Sequence, residues 1–90
     1  MIEVKTNGAY LSGKEDGKQV WKLIKDEIDY NKQNTIVFPD GLSYMTETFL
    51  NGFLDEPLRN KVDVKKIIKF KCGNAYIKSL INYYWSKYDN

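Results

Sequence analysis

The most chemically suggestive run in the chain is Thr46-Glu47-Thr48, two hydroxyls flanking a carboxylate at a predicted helix start. A hydroxyl at that position caps the helix, contributing about 1 kcal/mol, and an acid near the positive helix end contributes about 0.3–1 kcal/mol. With Asp40, Ser43 and Tyr44 just upstream, the same groups can also form a polar docking surface for another protein. Other candidates are weaker. Asp26/Glu27 and Asp55/Glu56 are sequence neighbours, and adjacent helical residues do not face each other, so they read as surface charge rather than a general acid–base pair. One cysteine, Cys72, and no histidine exclude an intrachain disulfide, a histidine-based triad and a Cys/His zinc site. Cys72 shares the apolar parity of its segment and is expected as an inert buried thiol. Gly41 and Gly73 belong to turns, outside any phosphate-cradling pattern. No catalytic constellation, metal site or cofactor motif emerges, so the expectation is a non-enzyme without a cofactor. Lys65, Lys66, Lys69 and Lys71 form a cationic group that, with nearby tyrosines, can contact nucleic-acid phosphates. The plainer reading is a lysine guard against unwanted strand pairing.

Thr46 to Thr48 must be positioned by what precedes them. Thr35-Ile36-Val37-Phe38 is β-branched and aromatic without polar alternation, which predicts a strand covered on both faces. Pro39 ends that strand, and Asp40-Gly41 turns the chain. Phe49, Leu50, Phe53 and Leu54 then recur at helical spacing and must face a core.

Upstream, residues 1–12 read as a β-hairpin. Ile2 and Val4 alternate with polar residues, Asn7-Gly8 is a strong hairpin turn, and Ala9-Tyr10-Leu11 is the returning strand. Ser12 and Glu15 have capping-box spacing, with Asp16 as a competing cap. The helix that follows puts Val20, Leu23, Ile24 and Ile28 on one stripe with Trp21 beside it, and ends near Tyr30. Downstream, Pro57 breaks or restarts the second helix, and Leu58 to Lys61 can add a turn. Residues 62–72 contain a strand with Val64, Ile68, Phe70 and Cys72 inward, and Lys65, Ile67, Lys69 and Lys71 outward. Gly73-Asn74 leads into a last helix from Ala75 to about Lys87, with Ile77, Leu80, Ile81, Tyr84 and Tyr88 on its stripe. The expected architecture is a single small α/β domain over residues 1–90. It has a mixed four-stranded sheet and three main helices in the order β-β-α-β-α-β-α.

A formal net charge of +2 argues against a dedicated electrostatic binder of DNA. Seven tyrosines and two tryptophans suit a core or an interface. There is no apolar leader and no segment of membrane-spanning length, which predicts a cytoplasmic protein without a membrane partner. Lysine far outnumbers arginine and Asn, Ile and Tyr are frequent, a bias suited to an AT-rich bacterial or phage genome.

The run from Leu42 to Leu50 resembles the phosphorylation-loop region of STAS domains, the bacterial anti-sigma factor antagonists. It is closer still to STAS-like domains of uncharacterised function, whose segment is Ser/Thr-rich and followed by Phe. On this resemblance Thr46 falls where STAS proteins have Asp, Glu47 at the phosphorylated Ser, Thr48 at the second Ser, and Phe49 at the Gly. Glu47 cannot be phosphorylated and carries a permanent charge. Ser12, Gly17 and Val20 are similar to the family's opening, and the final strand, turn and helix to its ending. The resemblance implies a non-catalytic regulatory domain that binds a protein partner through residues 40–50. The implied partner is a histidine-kinase-like ATPase or an anti-sigma factor, and added phosphate would disrupt docking by charge and bulk. The alternatives are nucleic-acid binding by the lysine group and a small phage-encoded inhibitor of a host protein.

Overall fold

Asn34–Val37 forms the central strand, β3, and two other strands line up on it in parallel. The structure is a computed structural model that describes residues 1–6 and 8–87. On one side β1 (Ile2–Glu3) sets Ile2 opposite Ile36. On the other, β5 (Ile68–Lys71) sets Asn34 opposite Ile68 and Val37 opposite Lys71. A second, separate ladder joins β2 (Tyr10–Leu11) to β4 (Tyr44–Met45), also in parallel. The helices are α1 (Gly13–Ile24), α2 (Glu47–Phe53), α3 (Asp55–Arg59), α4 (Val64–Ile67) and α5 (Ala75–Ser86), with a 3-10 turn at Lys25–Glu27.

The fold is thus α/β as expected, but the sheet is not mixed and four-stranded. The N-terminal hairpin does not form. β1 joins β3, and β2 joins β4, so residues 2–3 and 10–11 never pair with each other. The alternation of Ile2 and Val4 is real, since both side chains are buried, but their strand partner is more than thirty residues away. Asn7, half of the expected hairpin turn, lies outside the described residues, as does Tyr88 of the last helix.

Order decides which face is covered. The sequence β1, β3, β5 steps across the sheet in one direction, and right-handed crossovers then deliver their helices to a single face. Ile36, Phe38, Ile68 and Cys72 are buried under that layer. Phe38 meets Phe49 of α2 at 6.3 Å between ring centroids, and Phe70 meets Phe53 at 5.7 Å. The opposite face carries Glu3, Thr35, Val37, Lys69 and Lys71, none of them fully buried. The expectation that β3 is covered on both faces therefore fails.

Other boundaries shift for local reasons. Leu23 is exposed while Trp21 is buried, because α1 turns its Trp21 face toward Phe53. Pro57 falls in the first turn of α3, where a missing N–H costs no helical bond. The expected strand over 62–72 begins only at Ile68, because Val64–Ile67 closes a short helical turn first. Among the described residues Asn34 is the one buried polar side chain, and it is fully used. Its amide donates to the carbonyls of Asp29, Lys32 and Ile67, and its oxygen accepts from the Asp29 N–H.

The tightest packing is between α1 and α2. A methyl group at Gly17 would overlap the Phe49 carbonyl and the Phe53 backbone nitrogen, and one at Gly52 would overlap the Lys14 carbonyl. The two helix backbones touch, and only glycine permits it. Gly17→Ala and Gly52→Ala are each expected to lower stability by about 1–3 kcal/mol or more through overpacking. Gly41→Ala, which opens onto free space, should stay within roughly 0.5 kcal/mol. Urea midpoints at constant m-value check all three.

Candidate functional site

The Thr46 to Thr48 region sits where β4 runs into α2. β4 is held by β2: the N–H groups of Ser43 and Tyr44 donate to the Ala9 carbonyl at 2.8 and 3.1 Å, and the Thr46 N–H donates to Leu11 at 3.1 Å. Met45 points into the core and Tyr44 points out, as strand alternation requires.

Thr46 caps α2 as expected, its Oγ1 accepting from the Phe49 N–H at 3.2 Å. The same oxygen also accepts from the Gly13 N–H, the first of α1, at 3.0 Å across 33 residues of sequence. It lies 2.9 Å from Thr48 Oγ1. A hydroxyl has two lone pairs and one hydrogen, so with both lone pairs taken its own proton goes to Thr48. One hydroxyl therefore serves the starts of two helices. Ser12 makes no side-chain cap on α1. Asp16, expected as a competing cap, instead lies within the first turn of α1 and reaches back to accept from the Ser12 N–H at 3.3 Å.

Glu47 is half-buried and paired with Lys87 at the end of α5, so its charge is engaged rather than projecting freely. The Lys87 ammonium also stands 4.9 Å from the centre of the Tyr83 ring. Thr48 and Ser43 are exposed, and Ser43 Oγ donates to the Ala9 carbonyl. Asp40 does not join this group. It lies beside Gly73 and lines a hollow along β5 that none of residues 43–48 touches.

The structure adds residues that the sequence did not mark. Tyr10 and Tyr44 are ladder partners, their rings edge-to-face at 6.0 Å. Tyr44 in turn stacks on Tyr76 of α5, 6.0 Å away and within 7° of parallel. Their exposures are 68%, 42% and 52%, so the Tyr44 ring sits against two others while all three face water. Tyr83 follows two helical turns after Tyr76, exposed on the same side of α5. Neither Tyr10 nor Tyr76 could be paired with Tyr44 from the sequence, because one contact depends on the β2–β4 ladder and the other on the docking of α5.

The remaining candidates have structural partners or separate locations. Trp21 Nε1 donates to Glu56 at 2.7 Å, and Arg59 pairs with Asp55, which accounts for both acids of that couple. Lys65 and Lys66 lie on α4, whereas Lys69 and Lys71 lie on β5, so the four lysines do not form one row. Cys72 is a buried free thiol. No helix among the described residues is long and apolar enough to cross a membrane. Comparison with protein-family models, curated proteins and solved structures finds no match to this chain.

Thr46→Ala leaves two helix-start N–H groups without their acceptor and is expected to cost about 1–3 kcal/mol, whereas Thr46→Ser keeps most of that stability. Urea unfolding gives the energies. Backbone NMR should show the Gly13 and Phe49 amides moving together in the alanine variant, although they are far apart in sequence.

Proposed function

We propose that this chain is a non-catalytic, STAS-like interaction module of a bacterial or phage regulatory system, acting in the cytoplasm. It docks a protein partner through the rim formed by Ser43, Tyr44, Glu47 and Thr48 and the tyrosines around it, without Asp40. The observation that carries this reading is the exposed Tyr10–Tyr44–Tyr76 cluster, held against a doubly anchored helix start. Tyrosine supplies large contact area at little entropic cost, and it is enriched where interfaces concentrate their binding energy. Ser43 and Thr48, exposed on the same β4–α2 segment as Tyr44, add hydrogen-bonding groups to the rim.

The partner class rests on the resemblance of Leu42 to Leu50 to the STAS loop and helix. It points to a histidine-kinase-like ATPase or an anti-sigma factor. In this chain Glu47 brings a fixed negative charge to the position of the phosphorylated serine. The Thr46 hydroxyl is committed to two backbone N–H groups, so its role is structural. Regulation by modification at these two positions is therefore not part of the proposal, and recognition is constitutive.

Affinity capture from the native cell with the wild-type chain, Tyr44→Ala and Leu23→Ala tests this. The wild type and Leu23→Ala, an exposed change on α1, should retain an ATPase or anti-sigma factor. Tyr44→Ala should lose roughly tenfold or more of it, as expected for an interface anchor. Recovery of nucleic acid alone, or equal recovery of the protein by all three chains, contradicts the reading.

A further inference from the structure

We infer that the outer edge of β5 is a strand-addition site for an extended, acidic segment of a partner protein. This site is separate from the tyrosine rim and does not depend on the function assigned to it. β5 ends the sheet: β3 pairs on one side, and among the described residues no strand pairs on the other. The Phe38 N–H donates to the Lys71 carbonyl at 2.9 Å, so the backbone of Lys71 faces β3. Backbone groups alternate along a strand, and those of Phe70 therefore point to the open edge.

A hollow of about 660 Å³ runs along this edge. It is lined by every residue from Lys69 to Gly73, and Met1 beside β1 lines it too, so it reaches the β5 edge from the uncovered face of the sheet. Lys78 and Asn82 of α5 form its far wall, and Thr35 and Val37 of β3 continue it onto the uncovered face. Lys69, Lys71 and Lys78 bring three cations to the hollow against one acid, Asp40, at its end. A strand laid along β5 would place its alternate side chains beside Lys69 and Lys71.

The same lysines argue against other occupants. Two copies of β5 paired edge to edge would set lysine against lysine, and like charges directly opposite are destabilising. The two rings that line the hollow, Phe38 and Phe70, are already packed on each other and on Phe49, Phe53 and Trp85, and the open face carries Thr35, Val37, Lys69 and Lys71, which disfavours base stacking by single-stranded nucleic acid. The other sheet edge, β1, is two residues long and carries Glu3, so it lacks both the length and the charge.

The test is a titration of the full-length, ¹⁵N-labelled chain with short peptides that alternate valine with glutamate, serine or lysine. The glutamate peptide should shift the amides of residues 68–72 and slow hydrogen exchange of the Phe70 amide. The serine peptide should bind more weakly, and the lysine peptide should leave these amides unmoved. Combining Lys69→Glu with Lys71→Glu, both at exposed positions, should weaken the glutamate peptide roughly tenfold and admit the lysine peptide. Unchanged Phe70 exchange at saturating glutamate peptide overturns the inference. So does equal binding of all three peptides, a dimer that protects Phe70 without peptide, or an oligonucleotide that perturbs β5 more strongly than the glutamate peptide.

Discussion

Two helix backbones in direct contact fix this molecule. At Gly17 and Gly52 the axes of α1 and α2 approach until no side chain fits between them. That approach brings the first N–H of α1 within reach of the Thr46 hydroxyl at the start of α2. A wider helix separation would leave Gly13 to water and Thr46 with a single acceptor role. The glycines and the threonine thus form one constraint: the glycines allow the approach, and the hydroxyl sets its register.

The exposed surface follows from that constraint. Thr46 ends β4, and β4 is tied through Ala9 and Leu11 to β2, which leads into α1. Chain entering α1 and chain entering α2 therefore run side by side, and Tyr10 and Tyr44 come out of the ladder as neighbours. Phe49 and Phe53, one turn apart on α2, lock the helix onto the sheet through Phe38 and Phe70, while Trp21 closes on Phe53 from α1. α5 then docks with Tyr76 on Tyr44 and Lys87 on Glu47. The rim is a by-product of core packing on its inner side and an aromatic surface on its outer side.

What the sequence disclosed was local. The Thr46 cap, the buried stripe of Phe49, Leu50, Phe53 and Leu54, and the turn at Gly73-Asn74 into α5 with its Ile77, Ile81 and Tyr84 stripe depend on residues a few positions apart. The second role of Thr46 depends on a residue 33 positions away and left no periodic trace. Asn7-Gly8 gave a strong local turn signal, yet pairing was decided by burial of Ile2 and Val4 against β3, and tertiary context overrode it. Residues 62–72 alternate well enough for a strand, but a strand there would turn Ile67 outward, and a four-residue helical turn buries Val64 and Ile67 together. Gly17 and Gly52 were the missed clue. An interior helical glycine costs about 1 kcal/mol relative to alanine, so two of them on neighbouring helices imply a packing reason.

The central claim is that one hydroxyl joins the starts of α1 and α2, and native-state hydrogen exchange at Gly13 addresses it most directly. The first N–H groups of a helix ordinarily lack an intrahelical partner and exchange fast. The account predicts that the Gly13 amide exchanges as slowly as the Phe49 amide, through an opening close in free energy to global unfolding. A Gly13 amide exchanging at the rate of its solvent-exposed neighbours in the first turn of α1, with Phe49 still protected, would contradict it.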